Sequence, residues 1–215
     1  MTEPRSGLPG PHGSRGVRIL ALLVGTAITM AWACGTRDRG QDDGPPARIA
    51  GLIRDGRYQD AETEARTLLA AATAATGADS VDAAKAADLL VEALWRGGKA
   101  GAAESRSLAT SAISTKERLL SPVDPEIARS LNNLGNLLRL VGEPQEALPI
   151  LERAVAMREK RLGVGHPDVA QSLTGLAAVR LDLGDREGAR QLFERALAIR
   201  ESALGPDSVE AAQSM

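Results

Sequence analysis

Glu152-Arg153-Ala154-Val155-Ala156-Met157-Arg158-Glu159 returns as Glu194-Arg195-Ala196-Leu197-Ala198-Ile199-Arg200-Glu201, with one apolar side chain exchanged for another at two places. The offset is 42 residues, and it extends beyond this block: Leu120, Leu162 and Leu204 share it, as do Ala128, Ala170 and Ala212, Gly142 and Gly184, and Ala147 and Ala189. A fixed period between about 20 and 50 residues marks a repeat architecture, in which each unit buries its apolar face only against its neighbours. Such an array offers a long surface without a closed core. The expected work of the chain is therefore binding, not chemistry.

Each unit reads as a helical hairpin. Asp124 is placed to cap, Pro125 suits the first helical position, and Ile127, Ala128, Leu131, Leu134, Gly135 and Leu138 fall on one helical face. Gly142 stops that helix and Glu143-Pro144 opens a second, whose inner face carries Ala147, Leu148, Leu151, Ala154 and Val155. The next copy starts at Pro167, stops at Gly184, and places Leu173, Leu176 and Ala177 against Ala189, Phe193 and Ala196. Small residues on both helices let the backbones approach, and Leu151 or Phe193 fills the space beside them.

These residues resemble the tetratricopeptide repeat: a Leu-Gly pair on the first helix, a glycine at the turn, then Ala, a bulky residue and Ala on the second. Here they are Leu134-Gly135, Gly142, Ala147, Leu151 and Ala154, followed by Leu176-Ala177, Gly184, Ala189, Phe193 and Ala196. The period of 42 and the connector from Leu162 to Ala170 look like the longer variety found in kinesin light chains and many bacterial proteins. The resemblance implies an all-α fold, a right-handed superhelical solenoid of antiparallel hairpins. It implies a non-enzymatic scaffold without cofactors that holds a peptide or protein partner in a concave groove lined by the first helices.

Weaker copies precede these. Leu90, Leu94 and Gly98 stand 44 residues before Leu134, Leu138 and Gly142, while Ala112 and Leu120 keep the spacing of 42, which puts two extra residues after Gly98, most simply in the turn. Gly56-Arg57-Tyr58-Gln59-Asp60-Ala61 has the turn form again, with a short first helix before it. The expected array spans residues 47–206 as about four hairpins, the last two clearest. Residues 207–215 read as the start of a truncated further repeat, which raises self-association through an open carboxy-terminal end.

Composition narrows the function. Trp32, Tyr58, Trp95 and Phe193 are the only aromatic residues, and the formal net charge is −2. A mildly acidic, aromatic-poor chain lacks the phosphate-neutralising and stacking surfaces that nucleic-acid binding needs. One cysteine, Cys34, and two histidines, His12 and His166, leave no disulfide within the chain and no metal cluster. Gly97-Gly98-Lys99-Ala100 lacks the upstream glycine and the hydroxyl residue of a phosphate loop.

Residues 1–33 read as a signal peptide or membrane anchor: arginines at 5, 15 and 18 precede an uncharged apolar run from Ile19 to Thr36. The segment resembles bacterial lipoprotein signal peptides, with Ala33-Cys34 at the junction, although Ala31 and Trp32 stand where that family usually has Leu and a small residue. The outcomes are a lipidated Cys34, an uncleaved anchor, and ordinary cleavage or a misplaced start. The first two place the remainder outside the cytoplasmic face, in the periplasmic or cell-surface setting of a bacterial protein, because the leading arginines stay inside. Residues 34–46, rich in Gly, Pro and charge, read as a flexible tether.

The candidate partner-binding residues lie on the first helices. Arg129, Asn132, Asn136 and Arg139 make one stripe opposite the apolar one, with Asn133 at its edge, and Gln171 and Thr174 continue it in the next repeat. Asparagine donates and accepts, so it suits an extended peptide backbone, and arginine favours carboxylates. A merely wet helix face would carry the same residue types. Two other roles fit the chain: a sensory or regulatory segment of a longer protein whose effector domain lies beyond Met215, and a self-associating structural protein.

Overall fold

The computed structural model describes residues 44–204, which form eight α-helices and no strand. In chain order they are α1 (Pro45–Arg54), α2 (Tyr58–Thr76), α3 (Val81–Arg96), α4 (Ala103–Leu119), α5 (Pro125–Leu140), α6 (Pro144–Leu162), α7 (Pro167–Asp182) and α8 (Arg186–Leu204). They pair as four consecutive hairpins, and α1 is the shortest element at 10 residues. The fold is the all-α solenoid that the period and helical faces predict.

Local chemistry sets the helix limits. Ser80, Asp124 and His166 each accept a backbone N–H of the first turn they precede, at 2.9 to 3.1 Å. Pro125, Pro144 and Pro167 occupy first-turn positions where a missing N–H costs nothing. Gly142 takes φ +85°, and the closing bonds Glu143 N–H to Leu138 O and Gly142 N–H to Arg139 O satisfy carbonyls that the helix end would leave bare.

The irregular turn lies in the second hairpin. Residues 97–102 separate α3 from α4, whereas three residues close each of the other hairpins. The small inward position held by Ala61, Ala147 and Ala189 is Ser105 here, and its buried hydroxyl donates to the Lys99 carbonyl at 2.9 Å. That bond ties the longer turn to the helix it introduces.

Packing between hairpins decides where a site can form. Each first helix meets the first helix of the next hairpin: α1 touches α3, α3 touches α5 and α5 touches α7. No second helix approaches another second helix as closely, so the layer of first helices is the compressed, inner one. At the centre, a Cβ on Gly135 would lie 2.5 Å from Leu151 Cγ, so only glycine lets α5 and α6 approach this closely. Leu151 is wholly buried and also reaches within 3.4 Å of where a Gly175 Cβ would stand on α7.

Among the described residues no helix is long and apolar enough to cross a membrane. The apolar run from Ile19 to Thr36, Cys34, most of the tether and residues 205–215 lie outside the described residues.

Candidate concave binding groove

The inner layer holds a groove of about 590 Å³. Its wall runs from Ile53, Arg54 and Tyr58 through Glu92 and Arg96 of α3 to Glu126, Arg129, Asn132 and Asn133 of α5, and ends at Asp168 and Gln171 of α7. Arg158 reaches it from α6. Of the seven residues predicted from the stripe, the structure brings Arg129, Asn132, Asn133 and Gln171 into this groove.

The other three are engaged elsewhere. Arg139 pairs with Asp182 at 3.2 Å, linking the ends of α5 and α7. Asn136 donates to the Asn132 backbone carbonyl at 2.9 Å. Thr174 bonds to the Ala170 carbonyl at 2.9 Å and lies 3.2 Å from Arg200 Nη2.

Burial separates the two central asparagines from a simple exposed stripe. Asn132 and Asn133 are each 3% exposed, because α5 is flanked by α6 and by the first helices on both sides. Asn133 donates to the Asp88 carbonyl at 3.0 Å and thereby binds α5 to α3. Asn132 differs. Its Oδ1 is buried and has no hydrogen-bond partner among the described residues, an arrangement that costs free energy unless a donor arrives.

The ionic groups of the groove are unevenly paired. Arg96 bonds to Glu92 at 3.0 Å and stacks over the Trp95 ring at 4.5 Å, and Glu126 bonds to Lys116 at 3.2 Å. Arg54 and Arg129 have no salt-bridge partner among the described residues. Asp168, whose one ion-pair contact is His166 at 3.9 Å, is the third groove charge without a lysine, arginine or carboxylate partner, and the lining as a whole carries four arginines against Glu92, Glu126 and Asp168.

Arg158 is buried although charged residues follow it. The run Arg158-Glu159-Lys160-Arg161 looks like a solvated helix end, yet Arg158 is 3% exposed and donates to the Asp168 carbonyl at 2.6 Å, Gln171 Oε1 at 3.1 Å and Ser172 Oγ at 2.8 Å. Burial pushes its guanidinium below the ordinary arginine value, against the pull of Asp168. The signal for this burial was the spacing itself, since Lys116 and Arg200 stand 42 residues to either side.

A second buried cluster lies behind the groove. Asp88 and Lys116 are fully buried and paired, Ser130 donates to Asp88 Oδ2 at 2.8 Å, and Lys116 also donates to the Glu126 carbonyl at 3.1 Å. Ser130, Asp88 and Lys116 have no exposed surface, so this cluster is enclosed by the packing between hairpins. Among the described residues no group of His, Cys, Asp and Glu is arranged to hold a metal ion.

Comparison with known proteins agrees with this architecture. The tetratricopeptide repeat model matches residues 101–160, 126–202 and 168–215. No curated protein matches the sequence significantly. Among solved structures, the nearly identical TPR-like repeats of a Podosopora anserina protein described as a kinesin light chain are similar, at 21% identity and TM-score 0.60, over 79% of this chain and 80% of that one. A single-substitution form of those repeats gives 21% identity and TM-score 0.61 over 79% of each chain. BtubC (BKLC) from P. vanneervenii has 24% identity and TM-score 0.59, over 79% of this chain and 68% of its own. At these identities the likeness is one of fold.

Proposed function

Since the chain belongs to the tetratricopeptide repeat family, we propose that it is a non-enzymatic interaction scaffold whose groove takes an extended, acidic segment of a protein partner. One observation carries this reading: Arg129, which has no salt bridge among the described residues, and Asn132, whose Oδ1 is unpaired, line the same groove. A carboxylate satisfies the first and a peptide N–H the second, which together describe an acidic peptide in extended form. Gln171 and Arg54 extend the same chemistry toward the two ends.

The test uses the full chain and a pool of fluorescein-labelled, Asp- and Glu-rich dodecapeptides, read by anisotropy. Arg129→Glu is expected to weaken binding about tenfold or more, the worth of a charge-assisted hydrogen bond. Asn132→Ala should weaken it with helix content unchanged, whereas Asn133→Ala should lower stability because its amide holds α5 to α3. Binding by Arg129→Glu equal to that of the parent removes the groove from consideration.

The scaffold is further proposed to be tethered on the extracytoplasmic side of a membrane by its amino-terminal segment, with lipid on Cys34. The basic flank and apolar run support this. Cys34→Ser is expected to abolish labelling by a radioactive fatty acid and to release the protein from the membrane fraction. Undiminished labelling rules out Cys34 as the lipid site.

A further inference from the structure

The charges of the groove are ordered along its length. First helices touch in the succession α1, α3, α5, α7, and the lining residues follow the same order. Glu92 and Arg96 pair within α3, and Glu126 of α5 pairs with Lys116 behind the wall. Arg158 enters from α6, but its Nη1 is held by three acceptors. What remains for an occupant is Arg54 on α1, then Arg129 on α5, then Asp168 on α7. The groove therefore runs from cationic to anionic.

The anionic end has a local cause. Glu126 and Asp168 stand 42 residues apart, each the second residue of its helix, and Lys116 and Arg158 meet them from the preceding second helices, also 42 apart. Lys116 reaches the Glu126 carboxylate at 3.2 Å as well as its carbonyl at 3.1 Å. Arg158 donates to the Asp168 carbonyl at 2.6 Å, and its remaining bonds go to Gln171 and Ser172. The aspartate side chain is one methylene shorter, and among the described residues its only ion-pair contact is His166 at 3.9 Å. A carboxylate in the first turn suits the positive end of either helix. That explains an acid at both positions, but not why one is bound and the other is left half-exposed at the groove wall.

Four arginines against three carboxylates leave a surplus of one positive charge in the lining. A segment of acids alone would set some of its carboxylates against Glu92, Glu126 or Asp168, and like charges placed together select against a partner. We propose that the segment held in the groove is bipolar, with carboxylates toward Arg54 and Arg129 and a lysine or arginine side chain against Asp168. The proposal rests on the reading of the groove as a peptide site and makes Asp168 the residue that sets the charge order of the occupant. Packed helices lie about 8–10 Å apart and an extended chain advances about 3.3 Å per residue, so the cation stands about three residues from the carboxylate at Arg129.

Three fluorescein-labelled dodecapeptides, titrated against the full chain and read by anisotropy, test this. One carries glutamate at every charged position. In the other two a single glutamate becomes lysine, three residues from the nearest remaining glutamate, at the amino-terminal end in one and at the carboxy-terminal end in the other, since either strand direction presents the same charge order. One of the lysine peptides is expected to bind about threefold more tightly than the all-acidic peptide, the worth of a partly exposed ion pair. Asp168→Asn should erase that preference while holding the all-acidic peptide at least as tightly as the parent does, and Asp168→Lys should reverse it. Thermal unfolding of Asp168→Asn is expected to match the parent, because the side chain is half-exposed.

If neither lysine peptide binds more tightly than the all-acidic one, or if the preference survives Asp168→Asn, the proposal is overturned. Arg129→Glu separates this failure from that of the groove itself. Binding that Arg129→Glu weakens, without any preference that depends on Asp168, overturns the bipolar occupant alone. Binding that Arg129→Glu leaves unchanged removes both.

Discussion

Lys116→Met is expected to lower the stability of the array by about 3–5 kcal/mol, the cost of leaving one member of a buried ion pair alone. Lys116 and Asp88 are both without solvent exposure, and Asp88 Oδ1 already lacks a partner among the described residues. Without the ammonium, the carboxylate keeps only the Ser130 hydroxyl. Replacing both charges, as Lys116→Met with Asp88→Leu, should recover most of the loss, since a well-packed apolar pair is often as stable as a buried ionic one.

The same variant carries a pH signature. Burial pushes the Asp88 carboxyl above its ordinary value, while Lys116, Arg129 and Ser130 pull it back. With Lys116 gone, the folded chain holds a proton on Asp88 at pH values where the unfolded chain, with its value near 3.8, has released it. The folded state then binds more protons than the unfolded state, so stability falls as pH rises from the unfolded value through the raised folded one. Urea unfolding between pH 5 and 8 should show the Lys116→Met midpoint rising on acidification, with a smaller slope in the parent. A variant as stable as the parent at pH 8 would exclude the pair as a structural element.

Leu151→Ala is expected to cost about 2–5 kcal/mol, because its side chain is fully buried and nothing nearby can collapse into the space without moving a helix. Gly135→Ala should cost about 1–3 kcal/mol for the opposite reason: the added methyl would meet Leu151 Cγ, Cδ2 and Cδ1 at 2.5, 2.8 and 3.0 Å. Combined, the two changes should cost less than their sum, since the new methyl enters the cavity left by the leucine. Strict additivity in chemical denaturation would mean that this close approach is not where α5 and α6 lock.

The features legible in the sequence were those written in local chemistry. Gly142 and Gly184 mark turns because each takes a positive φ after a helix, and Asp124 with Pro125 marks a start because both groups act within one turn. The Leu-Gly pair and the bulky residue of the second helix foretold the hairpin packing, and Gly135 does meet Leu151. The groove was legible only in outline. Arg129, Asn132, Asn133 and Gln171 line it, but Arg139 is paired across α5 and α7, and Arg54, Arg96 and Arg158 join from elements the stripe did not include.

What the sequence by itself determined was the period, the hairpin unit and the inner face of each helix, because these depend on residues a few positions apart repeated down the chain. Only the tertiary structure decided which polar side chains meet solvent. A first helix is covered by its hairpin partner and by first helices from the repeats before and after, so Asn133 is committed to the Asp88 carbonyl and Arg158 to Asp168 and Ser172. Helical periodicity places a residue on a face of its own helix. Whether that face is wet depends on neighbours about 40 residues away, which no single helix encodes.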